Sequence, residues 1–432
     1  MRNVFHRSIA SIPRAVVAPA AVAALLAVAA CSDILEVELP GRIPSELLGD
    51  PTTAPTLTAS VIADFECAYS NYVTSTAALS DQFLGSSGNF VSQSWGTKKI
   101  TENESSNEQG GCDGIWGAYT PLQTARFQAD DILARLEGWT DEQARIPLAP
   151  LRAQVAVYGA YAYTLLGEGF CAMRFDGEEG IRTPDEVLAV AETKFDAALG
   201  LIEAMDAGEA KTELENLARV GRARVRLDRG NTAGAAADAA LVEPGFAFFV
   251  TRGADADTRF NDAWLAMAEV GHSSVAPEYR NLTVEGQPDP RVQVAFGPTV
   301  GLAEKGFDGT TDLYVVINKN FSRADPMRLA SYVEAQLIQA EALGGTAAVG
   351  IINARRTQLG LPQYTGATDA ASVQALVLDE RNRELFAEGG HRYNDLLRFD
   401  MTWKVGSDQN GVPYGTTTCM PLPLSERLAA GG

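Results

Sequence analysis

Apolar residues recur at helical spacing over most of the chain, and the spacing lapses in one stretch past its middle. Between residues 117 and 137, Tyr119, Leu122, Ala125, Ile132 and Leu136 fall on one face of a helix. Residues 152–166 repeat the pattern with Val155, Tyr158, Ala162 and Leu165. Thr183-Pro184-Asp185-Glu186 has the residue order of a helix start, a capping hydroxyl followed by proline and two acids, and Val187, Ala191, Phe195 and Leu199 continue the face. Residues 217–229 form a further helical run that stops at Gly230-Asn231, and Ala235, Ala236, Ala239 and Ala240 line the helix after it. A helix, a short glycine turn and an alanine-lined partner form the pattern of a tetratricopeptide hairpin, where small residues let two backbones approach. The same order returns at Tyr332 to Leu343, Gly344-Gly345 and Ala347 to Arg355. From Phe246 to about Asn320 the period is lost, turn residues are frequent, and 246–250 and 313–317 predict short strands. The expected fold is therefore mainly α, with helical hairpins packed against an irregular insertion that carries short strands. Residues 56–244 are the first helical region, 245–325 the insertion, and 326–432 a second helical region and tail.

The amino terminus carries a different pattern. Arg2 and Arg14 precede a run of alanine, valine and leucine from Ala15 to Ala30, too short to span a bilayer and followed by Cys31. Leu26-Ala27-Val28-Ala29-Ala30-Cys31-Ser32 resembles a bacterial lipobox, with small residues before the thiol that would carry the lipid. The expectation is a signal peptide over 1–30 and a lipidated tether over 31–55, held to a membrane through Cys31. Ser32 in place of aspartate permits export to the outer membrane.

Charge and cysteine usage narrow the chemistry. The 432 residues hold 35 Lys+Arg against 55 Asp+Glu, a net charge of −20, which repels polyphosphate and excludes a nucleic-acid partner. Three histidines, His6, His272 and His391, are too few for imidazole metal clusters or relays. Neither a metal nor a cofactor is expected, and Asp255-Ala256-Asp257 reads as a surface turn because the remaining ligands of a calcium loop are missing. Cys67, Cys112, Cys171 and Cys419 remain after Cys31, an even number for an oxidising compartment. Three pairings are possible, and Cys67–Cys112 with Cys171–Cys419 is the one preferred.

Several motifs together resemble the SusD/RagB family of outer-membrane nutrient-binding lipoproteins. Asp33, Leu35, Val37, Pro40, Gly41 and Ile43 are similar to the family's mature start, with Leu39 where asparagine is common. Glu380, Arg381, Arg383, Glu384, Leu385, Glu388, Gly389, Arg392, Asp395, Leu396 and Arg398 resemble its late signature, with Gly390 inserted. Met420-Pro421-Leu422-Pro423-Leu424-Ser425-Glu426 resembles its tail, and Ser80-Asp81-Gln82-Phe83 an acidic element near its ligand loops. Gly169-Phe170-Cys171 departs from the family's usual loop at that place, and Ala125-Arg126 stands where Ala-Asn is common. The resemblance implies a SusD-like fold and a lipid-anchored protein exposed at the cell surface. It also implies binding of an oligosaccharide or other nutrient, and a SusC-like TonB-dependent transporter as partner.

The charges of the late signature, spaced by three and four, read as structural ion pairs rather than as a catalytic couple, since arginines lie among the carboxylates. The chain is not expected to be an enzyme. A helical adaptor lipoprotein for envelope assembly is the alternative, and an all-helical glycosidase with two carboxylates a more distant one. For ligand contact, residues 81–95 predict an exposed Gly/Ser/Asn loop that presents Asp81, Asn89, Phe90, Gln93 and Trp95, with Trp264 and Tyr279 of the insertion as further candidates. Trp116 and Tyr119 are assigned to the core.

Overall fold

The computed structural model describes residues 45–430 apart from 104–110, 113, 176, 177 and 179, so the expected signal peptide, Cys31 and the expected tether as far as residue 44 lie outside the described residues. Residues Ser45–Gly49 form a 3-10 turn, and the account below concerns residues from Asp50 onward.

Helix α1 (Ala54–Leu79) is buried along almost its whole length, with Phe65, Tyr69, Tyr72 and Val73 inside. Its buried positions lie on every side of the helix and include polar ones such as Ser70, Asn71 and Thr76, so α1 is surrounded by the elements around it. Helices α3 (Tyr119–Glu137) and α4 (Ala149–Gly169) lie against it, preceded in sequence by the short α2 (Phe90–Gly96). Each following helix packs on the one before it: α5 (Pro184–Glu203) on α4, α6 (Glu209–Asp228) on α5, and α7 (Thr232–Ala239) on α6. Helices α8 (Tyr332–Leu343), α9 (Gly345–Gln358) and α10 (Ala370–Glu384) continue the stack through contacts of α8 with α6 and α7. The order matches the hairpins expected from the sequence, and the local signals act as read. Thr183 and Glu186 form a reciprocal capping box at the start of α5, and Asn231 caps α7 by accepting from the Gly234 N–H at 3.0 Å. Small residues sit where helices cross: a side chain on Gly159 would meet Ala129 Cβ at 2.9 Å.

Short strands of the insertion pair antiparallel with one another and with strands on either side of it in sequence. β1 (Phe83–Gly85) pairs with β3 (Ser273–Val275) and β2 (Ala247–Val250) with β8 (Met327–Ser331), while β4 (Thr283–Val284) and β5 (Gln287–Pro288) form a tight hairpin and β6 (Val294–Phe296) pairs with β7 (Tyr314–Val316). Both strands expected from the sequence are present, at 247–250 and 314–316. The strand at 327–331 opens the region expected to be helical from 326 and stands directly before the helix expected from Tyr332. It runs into α8 through Ser331, whose hydroxyl accepts from the Glu334 N–H at 3.1 Å. Cys67 is bonded to Cys112 and Cys171 to Cys419, the preferred pairing. The second bond ties the tail to the end of α4, where the Cys171 N–H also donates to Met420 O at 2.9 Å.

The late signature occupies α10, a turn, and α11 (His391–Arg398), and its charges other than Arg392 form ion pairs. Glu380 lies between Arg291 and Arg356, at 2.5 Å from each, Arg381 donates to Asp395 at 2.9 Å, and Arg355 meets Glu384 at 2.8 Å. Lys319 holds Glu388 at 2.6 Å, and Arg398 bridges Glu341 and Asp395. No helix among the described residues is long and apolar enough to cross a membrane.

Candidate functional site

The chain reverses at the end of α1 through Asp81, a non-glycine residue with φ of 61°, and the turn is closed by the Gln82 N–H donating to Ala77 O at 3.0 Å. Pairing of β1 with β3 then brings the 3-10 turn Pro277–Tyr279 beside Asp81. On the other side the chain leaves α11 through Asp400, also left-handed at φ of 44°, and folds back so that Lys404 reaches Glu278 at 3.0 Å. Between these segments lies a cavity of about 520 Å³. Asp81, Glu278 and Tyr279 form one wall, Asp379, Asn382 and Arg383 of α10 another, and Arg392 with Thr402, Trp403, Lys404 and Val405 the rest.

Its polar groups are fixed by neighbours. Asp81 is held by Lys98, a buried lysine with φ of 57° whose ammonium also lies 4.6 Å from the centre of the Tyr414 ring. Burial pushes the Lys98 ammonium down from its ordinary value and the Asp81 carboxylate opposes that shift. Burial raises the Glu278 carboxyl, but its own backbone N–H and Lys404 outweigh this and hold it below the ordinary carboxylate range. Tyr279 packs on Phe386, with ring centres 4.6 Å apart, and its hydroxyl donates to Asn382 Oδ1 at 2.9 Å. Burial raises this phenol, so it remains a neutral donor at ordinary pH. Trp403 is half-buried edge-on to Tyr393, at 6.1 Å between centres, and Val405 is 83% exposed at the rim. An aromatic surface with fixed carboxylates, an amide and cations around it suits a polyol that stacks through C–H groups and hydrogen-bonds through hydroxyls.

Of the residues singled out from the sequence, Asp81 and Tyr279 are brought together here, and the others are not. The stretch expected to be an exposed loop is in part α2, started by Asn89, whose side chain accepts from the Val91 and Ser92 N–H groups. On a helix, Trp95 shares a face with Ser92, and both point inward. Trp95 is fully buried and stacks on Trp116 with centres 6.2 Å apart, so it offers no face to a ligand and its assignment to an exposed platform is corrected. Gly96 meets Gly85 closely enough that a side chain there would come within 2.9 Å of the Gly85 Cα, which lets α2 lie flat on β1. Phe90 is 70% exposed and Gln93 half-buried, and neither lines the cavity. Trp264 is half-buried beneath the Arg323 guanidinium, 5.8 Å from its ring centre, also outside the cavity. Trp116 and Tyr119 are in the core.

Trp403, Asn382 and Arg392 line the cavity without having been singled out as ligand contacts. Asn382 and Arg392 belong to a signature that reads as scaffold, and Trp403 follows it in an aperiodic stretch whose return toward Asp81 no local pattern encodes. Among the described residues no group of three His, Cys, Asp or Glu side chains is placed to hold a metal ion.

Comparison with known proteins adds an independent line. Residues 249–418 match the model of the SusD family. No curated protein sequence matches the chain closely enough to count as a relative. Among solved structures, a laminarin-binding SusD-like protein superposes with a TM-score of 0.63 at 17% identity, covering 87% of this chain and 97% of its own. A SusD-like protein from Bacteroides fragilis gives a TM-score of 0.67 at 12% identity, over 89% and 96% of the two chains. Surface glycan-binding protein A from Bacteroides thetaiotaomicron, in complex with laminarihexaose, gives 0.63 at 14% identity, over 88% and 98%.

Proposed function

We propose that this chain, a SusD-family protein over residues 249–418 and SusD-like in fold, is a cell-surface lipoprotein that binds a saccharide and passes it unchanged to a SusC-like TonB-dependent transporter in the outer membrane. The observation that carries the reading is the cavity of about 520 Å³ in which Tyr279 and Trp403 stand among fixed polar groups. A few sugar units fit that volume, and a half-open site releases its ligand as well as capturing it, which delivery to a channel requires. The glycan bound by surface glycan-binding protein A, laminarihexaose, is a precedent for the ligand class.

The carboxylates favour binding without turnover. A glycosidase needs one carboxyl kept protonated near neutral pH beside a second that is ionised. Asp81, Glu278 and Asp379 are each engaged by a cation, Lys98, Lys404 and Arg383 respectively, and Lys404 helps to hold the Glu278 carboxyl below the ordinary carboxylate range. Lipidation at Cys31 would place the protein at the membrane, with the transporter beneath it. Purification of the lipidated chain from cell envelopes tests the assignment: a TonB-dependent barrel is expected as the main companion, and Cys31→Ala is expected to leave the membrane fraction. Recovery of other envelope proteins with no barrel would favour the assembly-adaptor reading instead.

A further inference from the structure

Among the described residues every carboxylate lining the cavity has a cation, but one cation has no carboxylate. Lys98 holds Asp81, Lys404 holds Glu278 at 3.0 Å and Arg383 holds Asp379 at 2.9 Å. Among the described residues Arg392 is in no ion pair: its Nη1 lies 3.6 Å from the Met401 sulfur, a weak acceptor, and its Nε is buried without a hydrogen-bond partner. Its place in the chain compounds this. Arg392 stands in the first turn of α11, where the exposed N–H groups make a cation unfavourable and an anion favourable. Two left-handed glycines precede the helix, Gly389 and Gly390 with φ of 52° and 71°, and a side chain on Gly390 would come within 2.5 Å of Tyr72. That turn buries His391 against Arg224 and Glu334 and leaves its neighbour Arg392 on the cavity wall. Arg392 is half-buried on the cavity wall, and a cation without a counter-ion there, set against the helix dipole, is a cost to the fold that an anion bound at the accessible end of the guanidinium would offset.

We propose that the saccharide held in this cavity carries a carboxylate, and that Arg392 receives it. The inference rests on the saccharide-binding reading above and names the class of sugar. A guanidinium presents parallel N–H groups that match the two oxygens of a carboxylate, which makes it selective for that group over a hydroxyl. The Asn382 side chain accepts from Tyr279 through its oxygen, and its amide nitrogen, without a hydrogen-bond partner among the described residues, can donate to a ring hydroxyl, while Trp403 supplies the stacking face. The molecule as a whole is strongly acidic, yet charges on the cavity wall are balanced pair by pair, so an anion there meets Arg392 rather than an acidic surface.

Calorimetric titration of the full chain with four probes tests this. Tetragalacturonate and sialyllactose are the acidic ones, because a hexuronate and a sialic acid present the same carboxylate. Methyl-esterified tetragalacturonate and laminarihexaose are the neutral ones. At least one acidic probe is expected to bind, with about tenfold loss of affinity on esterification or in Arg392→Gln, an intermediate loss in Arg392→Lys, and weakening by salt. The comparison of acid with ester in the unaltered protein stands even where the variants fold poorly. Binding of a neutral probe as tight as the acidic ones, or acidic binding unaffected in a folded Arg392→Gln protein, overturns the carboxylate assignment and leaves saccharide binding intact. Failure of all four probes together with a wider panel of glycans ends both.

Discussion

Replacing Glu334 with glutamine should change how stability depends on pH, in a direction fixed by its surroundings. Glu334 sits in the first turn of α8, fully enclosed, with Oε1 unpartnered, 3.6 Å from His391 Nε2 and 4.0 Å from Arg224 Nη1. Burial pushes its carboxyl up from 4.5 to about 7, because loss of solvation outweighs the attraction of Arg224, Arg381 and Arg328, and Glu388 adds to the rise. His391 beside it is held neutral by burial and by Arg224, Arg381 and Arg398, so it does not supply a compensating charge. Between pH 4.5 and about 7 the folded chain keeps a proton on Glu334 that the unfolded chain releases. The stabilisation from that proton is complete below about 4.5 and is lost as pH rises to about 7. The difference in proton affinity corresponds to about 3 kcal/mol at ~1.36 kcal/mol per unit. For a folded region of roughly 380 residues that is a shift in Tm of about 4 °C. Glutamine keeps the shape and does not titrate, so the wild-type chain should lose about this much relative to Glu334→Gln between mildly acidic and neutral pH. Calorimetric scans of both proteins across that range give the difference directly. A constant difference, or one that favours the wild type more as pH rises, would refute the argument that desolvation governs this group.

Two further predictions concern the frame around the cavity. Replacing Cys171 and Cys419 with serine opens a covalent loop spanning 248 residues, and chain entropy puts the loss at up to about 5 kcal/mol, read as a lower Tm under non-reducing conditions, where Cys67–Cys112 stays intact. A Tm that does not move would show that the tail is held by its other contacts. Gly221→Ala places a methyl group onto Phe195 and within 2.9 Å of Tyr161 Cζ at the crossing of α6 with α4 and α5, with an expected cost of about 1–3 kcal/mol. Gly200→Ala, in an open position of α5, should instead stabilise by about 0.5–1 kcal/mol. Denaturant unfolding of the two variants checks both signs.

Where the fold was legible in sequence, the signal was local. The Thr183 capping box, the Gly230-Asn231 stop and the Gly344-Gly345 turn each act through residues a few positions apart. The ion-pair role of the late signature was also legible, since its charges recur every three or four residues, although the partners Arg291, Lys319 and Arg355 come from elsewhere. The site was legible only in part. Asp81 stood out as part of an acidic element, but its neighbour Trp403 is more than three hundred residues away and no periodicity announces their meeting. Trp95 misled because serine, glycine and asparagine around it signal a loop, whereas Asn89 serves as a helix cap and the serines line a buried face. Arg392 was read with the scaffold arginines because it shares their spacing, and only the structure distinguishes the one left without a carboxylate.

The most direct test of saccharide capture in this cavity is titration of a glycan panel into the wild-type protein and Trp403→Ala, with the solution analysed afterwards for cleaved products. The expected result is binding of an intact saccharide, about tenfold weaker without the indole, with Tm unchanged. Absence of any glycan affinity, equal affinity in the two proteins, or release of hydrolysis products would contradict it.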